Sequence, residues 1–228
     1  MRKVTAGAFI SLDGVMQAPG GPQEDPSGGF KFGGWVFPYW SEEADAAIGE
    51  GFARPFDLLL GRRTYDIFAA HWPYVESDPA ASGYDAGSRQ IADVFDNATK
   101  YVATHHPETL SWANSEALGP DVAGKVRDLK AGEGPDLLTQ GSTELLHLLL
   151  AADLIDELRL LIYPVILGKG KRLFDPGSAP RALRMAKSAV APNGVLIVTY
   201  ERDGDIKTGS FALQQPSEAE IERREKLS

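Results

Sequence analysis

The run Leu58-Leu59-Leu60-Gly61-Arg62-Arg63-Thr64-Tyr65 joins an apolar strand, a glycine break and a helix that opens on two arginines. Residue types in this order make an anion site. The first N–H groups of a helix have no intrahelical partner and its macrodipole is positive there, so a phosphate is held with little further help. Two guanidiniums beside it suit more than one phosphate. Taken alone, the turn reads first as a helix start with two solvated arginines. A second junction of the same kind reverses that preference: Asp136-Leu137-Leu138-Thr139 runs into Gln140-Gly141-Ser142-Thr143 and then an apolar helix beginning Glu144-Leu145-Leu146. Thr104-His105 ends a third strand on the same edge, and ligands of open α/β sheets bind where strand carboxyl ends meet helix N-termini. Two phosphate-grade turns in one α/β chain point to a dinucleotide.

Other chemistries fit less well. Adjacent histidines such as His105-His106 do not share a helix face, and no carboxylate is spaced to complete a ligand set, so no metal is expected. The chain has no cysteine, which removes disulfides, thiolate metal sites and cysteine nucleophiles. A net charge of −9 and a pI near 5.0 argue against nucleic acid or an anionic membrane as the main partner. Met1-Arg2-Lys3 leads straight into an alternating strand, and no run approaches the ~18 apolar residues of a membrane span. A soluble, cytoplasmic protein is expected. With 228 residues, 43% of them hydrophobic, one domain over 1–213 is expected, followed by a charged tail, 214–228, loosely docked or disordered.

The elements that must position these turns follow from periodicity and punctuation. Residues 2–10 alternate as a strand, and Ser11-Leu12-Asp13-Gly14 forms the turn after it. A stretch dense in Gly and Pro, 17–34, ends in Trp35-Val36-Phe37-Pro38-Tyr39-Trp40, either a surface loop pinned by aromatic anchors or a lid over a flat ring. Ser41 caps a helix to about Ala53, with Glu42 and Glu43 in its first turn. Strands at 57–60, 100–104, 110–112 and 137–139 alternate with helices at 62–70, 88–95, 121–130 and 143–151, which implies a mainly parallel sheet covered on both faces. A long apolar strand, 157–167, then meets the basic turn 168–172, read as a hairpin corner or a clamp for an anionic substrate, with the corner favoured. Residues 182–191 and 194–202 pair as a hairpin across Pro192-Asn193.

This succession of motifs resembles the dihydrofolate-reductase-like superfamily, and most closely stand-alone relatives of the riboflavin-biosynthesis reductase (RibD C-terminal) domain. The motifs are Ser11-Leu12-Asp13-Gly14, the LLLGRRTY run, the strand ending in Thr104-His105, the Gly141-Ser142-Thr143 turn, Asp153-Leu154-Ile155-Asp156-Glu157-Leu158, and 164–174. The resemblance covers roughly 1–202. It implies a three-layer α/β/α fold with a mostly parallel central sheet and antiparallel C-terminal strands, NADPH bound across the two turns, and a homodimer. On that likeness Gly61, Arg62, Arg63 and Thr64 hold phosphates, with an arginine on the 2′-phosphate, and Thr104 and His105 border the adenosine. Gln140, Gly141, Ser142, Thr143 and Leu145 then lie along the pyrophosphate and nicotinamide. The arginine pair agrees, since it favours a dinucleotide with an extra phosphate over NADH.

Dihydrofolate reductases place a carboxylate in the helix ahead of the GRxT strand, and Asp45 stands at the matching spacing from Gly61. Asp45 is therefore the candidate catalytic acid, against the alternative of a solvated acidic first turn. Buried, it would have a raised pKa and could orient or protonate a pterin-like ring; exposed, it would do neither. Leu12, Asp13, Gly14, Trp35 and Trp40 are the candidate substrate contacts. Two departures from the pyrimidine reductase pattern stand out: Val15 where a basic residue follows the turn, and Gln140 where a substrate-binding glutamate precedes the glycine turn. The expected activity is NADPH-dependent hydride transfer to a small heterocyclic, pterin- or pyrimidine-like substrate. Its rivals are a catalytically silent nucleotide-binding or regulatory protein on the same fold, and an α/β protein whose turns bind no cofactor.

Overall fold

The computed structural model describes residues 1–175, 177–211 and 215–227. Its frame is one eight-stranded sheet in the order β4-β3-β2-β5-β1-β6-β8-β7. The strands are β1 (Val4–Ser11), β2 (Phe56–Gly61), β3 (Lys100–Ala103), β4 (Ser115–Ala117), β5 (Asp136–Gln140), β6 (Glu157–Tyr163), β7 (Leu183–Val190) and β8 (Leu196–Arg202). The first six run parallel, and β8 pairs antiparallel with both β6 and β7. The mixed sheet with an antiparallel C-terminal edge is thus as expected.

Side-chain alternation divides the layers. Val4, Ala6, Ala8 and Ile10 of β1 join Leu59, Leu137, Leu158 and Leu160 in one core, closed by Val126 of α4 (Val122–Ala131) and Leu145, Leu146 and Leu149 of α5 (Thr143–Ala151). The intervening positions face the other way. Leu58, Leu60 and Val102 pack against Tyr65 of α2 (Arg62–Ala69) and Phe95 of α3 (Ala86–Asn97). Farther along that face Leu161 and Tyr163 meet Ala44 of α1 (Glu42–Phe52) together with Val15, Phe30 and Trp35 of the glycine-rich segment. Period-two strands buried on both faces require such a three-layer arrangement.

Three expectations shift. The short strand expected at 110–112 lies instead at Ser115–Ala117. Leu110 and Trp112 look strand-like because they are apolar, yet Trp112 serves as an anchor: its backbone N–H donates to the Tyr65 hydroxyl at 2.8 Å and its indole to Asp96 at 2.8 Å. The strand expected to reach Leu167 stops at Tyr163, because Pro164 has no N–H for the ladder. In the tail, α6 (Glu218–Glu225) forms on a Ser217 cap and Glu220 pairs with Arg223 and Arg224, with no buried residue. The expected boundary at 213/214 and Ser228 lie outside the described residues. No helix among the described residues is long and apolar enough to cross a membrane.

Lys100 opens β3 with a fully buried side chain. Its Nζ donates to the carbonyls of Asp96 and Ala98 at 3.0 and 2.9 Å and lies 4.4 Å from the centre of the Trp112 ring. Burial, opposed by Asp96, lowers its pKa from 10.5 to about 8. Between those values the unfolded chain binds more protons than the folded one, so stability from this residue rises as pH increases through the window. Urea unfolding at pH 8 and at pH 10.5 is expected to show that rise in the wild type and its loss in Lys100→Met; an unchanged slope in the variant would exclude this cause.

Candidate functional site

The two glycine turns meet. Strands β2 and β5 are neighbours, and where both end the Gly61 N–H donates to Ser142 Oγ at 2.9 Å. A Cβ on Gly61 would lie 3.3 Å from the Ser142 Cβ, so a larger residue here would have to push the serine back by a few tenths of an ångström. Gly141 and Ser142 both take left-handed φ values, 64° and 60°. Such a conformation costs a serine roughly 1–2 kcal/mol and is retained where surrounding contacts impose it. Here the Gly141 N–H donates to the Gly7 carbonyl at 3.2 Å, fixing the turn over β1.

Helices α1, α3, α4 and α6 begin with a side-chain cap from Ser41, Asp85, Asp121 and Ser217. Helices α2 and α5 begin at Gly61 and Ser142 with none. Their first-turn N–H groups are left for another acceptor, and α2 also carries Arg62 and Arg63 at its positive end, where cations are disfavoured by ~0.3–1 kcal/mol each. An anion would relieve both conditions. Of the glycines at this edge only Gly61 is tightly approached, by the Ser142 side chain, while Gly7 and Gly141 make ordinary contacts with Thr139, Gln140 and Thr64.

The arginines diverge. Arg62 is held at the end of β3 by Asp66 (2.9 Å), Thr104 Oγ1 (3.4 Å), the His106 carbonyl (3.3 Å) and Thr109 Oγ1. This brings Thr104 to the turn, while His105 beside it is exposed. Arg63 turns the other way onto Asp25 of the glycine-rich segment, whose second oxygen accepts from Lys171 Nζ at 2.7 Å. Burial raises the Asp25 pKa, but hydrogen bonds from Lys171 and Ser27 outweigh it and hold the carboxyl at about 2. Thr143 starts α5, and Leu145, 4% exposed, packs into the core beneath Gly61. Asp25 carries no signal in the sequence, because a lone carboxylate in a Gly/Pro-rich stretch has no period, whereas Lys171 belongs to the basic turn and here faces a carboxylate of its own chain.

The aromatic end lies where β1 and β6 finish. Trp40 donates its indole N–H to Asp45 Oδ1 at 2.8 Å, lies edge-on to Phe9 and stacks on Phe37. Asp45 is exposed rather than enclosed. Trp35 is 7% exposed, gives its indole N–H to the Gln17 carbonyl and packs edge-on to Tyr163, which makes it a core anchor rather than a ligand surface. Trp40 keeps 38% of its surface and Leu12 61%. The Asp13 carboxylate is already occupied: it accepts from Ser11 Oγ, the N–H groups of Leu167 and Gly168, and Arg172. It staples the Ser11–Gly14 turn to the basic turn, leaving Leu12 and Gly14 as that turn's open surface. Tyr163, the last residue of an apolar strand and without a signal in the sequence, has a buried hydroxyl with no hydrogen-bond partner among the described residues. Burial and then the Asp45 charge push its pKa to about 12.

A family model for the RibD C-terminal domain matches residues 2–197. The chain belongs to that family. A curated relative, the uncharacterized protein YyaP of Bacillus subtilis (strain 168), is 24% identical over 210 residues, covering 89% of this chain and 96% of its own. Among solved structures, a putative riboflavin biosynthesis protein from Shewanella sp. PV-4 is similar, with a TM-score of 0.56 at 19% identity over 88% of this chain and 99% of that one. A dihydrofolate reductase from Enterococcus faecalis, complexed with NADP(H) and RAB-propyl, gives 0.53 at 14% identity over 88% and 96%. The family member described here therefore has the dihydrofolate-reductase-like fold, and the likeness of Gly61–Ser142 packing to a ligand cradle stands on its own geometry.

The Asp13 staple has a testable energy. Burial raises its pKa, while Ser11, Leu167, Gly168 and Arg172 lower it further, to about 2 from 3.8. A depressed carboxylate pKa stabilises the fold above 3.8 and loses that effect as pH falls toward 2. Asp13→Asn is expected to cost on the order of 2 kcal/mol at neutral pH and to flatten the acid limb of a thermal-unfolding series. Wild-type stability at neutral pH with an unaltered acid limb would refute the assignment.

Proposed function

We propose that this RibD-family protein is an NADPH-dependent reductase acting on a small heterocyclic substrate, pterin- or pyrimidine-like. The observation that carries the reading is the Gly61 N–H to Ser142 Oγ contact, which sets two uncapped helix N-termini side by side on one sheet edge, one of them carrying Arg62 and Arg63 in its first turn. That is the donor set a pyrophosphate with an additional phosphate needs. NADP(H) in the Enterococcus faecalis relative supports the choice of dinucleotide. When bound, the nicotinamide supplies the hydride.

The chain's own residues bind, orient and shield. Arg62, braced by Asp66 and the β3-end loop beside Thr104 and His105, is fixed to meet the 2′-phosphate without further ordering. The N–H groups of Arg63, Thr64, Thr143 and Glu144 would hold the pyrophosphate, and the Gln140-Gly141 backbone would line the nicotinamide end. Leu12 and Gly14 form an apolar wall. Asp45, exposed and already accepting the N–H of the Trp40 indole, does not take the role expected of a buried carboxylate, and the proton that accompanies reduction comes from water. Val15 is fully buried, so no charged group reaches out after the Ser11–Gly14 turn, which disfavours a phosphoribosyl substrate.

An exposed Asp45 also favours a second reading, a silent nucleotide-binding or regulatory protein. Steady-state NADPH oxidation with pterins and with 5-amino-6-(5-phosphoribosylamino)uracil separates the two. Binding comes first: quenching of the four tryptophans is expected to report NADPH with a clear preference over NADH. Arg62→Ala should weaken NADPH by ~1.5–3 kcal/mol, roughly ten- to a hundredfold. An unaffected affinity would remove Arg62 from the cofactor site, and no binding of either dinucleotide would end the reductase reading.

Cytoplasmic residence and a homodimer belong to the same proposal. The edge strand β7 exposes nearly every residue, including Met185 at 50% and Val190 at 68%, and an edge this long with unpaired N–H and C=O groups calls for a second copy. Light scattering coupled to size exclusion is expected to give twice the chain mass, and a monomer at all concentrations would overturn it.

A further inference from the structure

Asp25 sits in the middle of the glycine-rich 17–34 segment with a side chain only 8% exposed. Its position is built rather than incidental. The Gln17 amide donates to the carbonyls of Asp25 and Ser27, each at 2.9 Å, while its oxygen accepts from the Lys171 N–H at 3.0 Å. The indole of Trp35 then holds the Gln17 carbonyl at 2.9 Å. This frame points one carboxylate oxygen at Arg63, in the first turn of α2, and the other at Lys171 Nζ, 2.7 Å away. Arg63 nonetheless keeps 57% of its side-chain surface. A carboxylate and a phosphate engage a guanidinium through the same charge-assisted hydrogen bonds.

We propose that Asp25 is a built-in stand-in for a phosphate: it occupies Arg63 in the free protein, and an arriving dinucleotide takes Arg63 while Asp25 falls back on Lys171 alone. The proposal rests on the dinucleotide reading above and adds a device to it. A buried carboxylate stripped of every cation is strongly destabilising, so exchange at Arg63 needs a second cation already in place. Lys171 is that cation. The strap that Asp25 anchors is then released from α2 when the cleft fills and held to it when the cleft is empty, which makes the 17–34 segment sensitive to cofactor.

Substitutions at Asp25 and at Lys171 are expected to have effects of opposite sign, which general unfolding cannot imitate. In calorimetric titrations of the full-length protein with NADPH, Asp25→Asn is expected to bind on the order of tenfold more tightly, since the competing anion is gone. Lys171→Met is expected to bind more weakly by a similar factor, because release of Arg63 would leave Asp25 without a cation. The double variant Asp25→Asn/Lys171→Met should bind as tightly as Asp25→Asn. Wild-type binding that Asp25→Asn leaves unchanged or weakens would overturn the proposal alone, showing that Asp25 merely positions Arg63. A double variant as weak as Lys171→Met would overturn it too, placing Lys171 directly on the phosphate. No NADPH binding by any of the four proteins would instead remove the dinucleotide reading, and this proposal with it.

Discussion

A single backbone donor, the N–H of Gly61, holds the edge of this sheet together. It ends β2, and Ser142 Oγ, at the start of the next strand's helix, accepts from it at 2.9 Å. Everything at the carboxyl edge is placed relative to that contact: the first turn of α2, the first turn of α5, and the β3 end that Arg62 reaches. The contact demands an unusual backbone, with two successive left-handed residues at Gly141 and Ser142. Serine at such a position pays in conformation and is compensated by the hydrogen bond it can accept only from there. Glycine at 142 would ease the turn and lose the acceptor; alanine would lose both advantages.

The opposite wall of the cleft is held by polar side chains instead of apolar core. Asp13, Gln17 and Asp25 each reach from the long N-terminal loop to the basic turn at 168–172, and each spends its acceptors on main-chain N–H groups or cations there. A segment rich in Gly and Pro has few side chains to bury, so directional bonds must supply the order that area cannot. Phe30 and Trp35 add the apolar anchors, and Gly170, at φ 138°, leaves the space into which Val15 and Phe30 pack. The basic turn is accordingly a structural corner whose lysine and arginine face carboxylates of the same chain.

The elements that sequence makes legible are those with a period. The buried strands Val4–Ser11 and Phe56–Gly61, the amphipathic α3 and the apolar α5 follow from alternation and caps, and the two glycine turns from strand-to-helix punctuation. What stays hidden depends on contacts between distant residues. Trp112 imitates a strand residue but spends its N–H groups on Tyr65 and Asp96. Trp35 and Trp40 are indistinguishable as letters, yet one is buried under Gln17 and the other lies over Asp45. Asp13, marked as a ligand contact, is saturated by partners more than a hundred residues away in the chain, and Arg63 meets a carboxylate that no spacing rule connects to it. Type and turn were readable; allocation of each polar atom was not.

That allocation bears on how an acidic protein selects an anion. The chain carries a net charge of −9, and at physiological salt such a field fades within ~8 Å, so it neither helps nor prevents a dinucleotide from reaching the cleft. Within the cleft the arginines are not bare either: Asp66 neutralises Arg62 and Asp25 neutralises Arg63. Long-range attraction is therefore a weak source of affinity here. For the proposed dinucleotide, selectivity would come from short, directional donors, the N–H groups of α2 and α5 that no side chain caps among the described residues, and from a guanidinium that Thr104 and the His106 carbonyl already hold in place. Preorganised donors lose little entropy on binding and discriminate by geometry, so for the proposed dinucleotide the discrimination would rest on the placing of these donors and not on the screened overall charge.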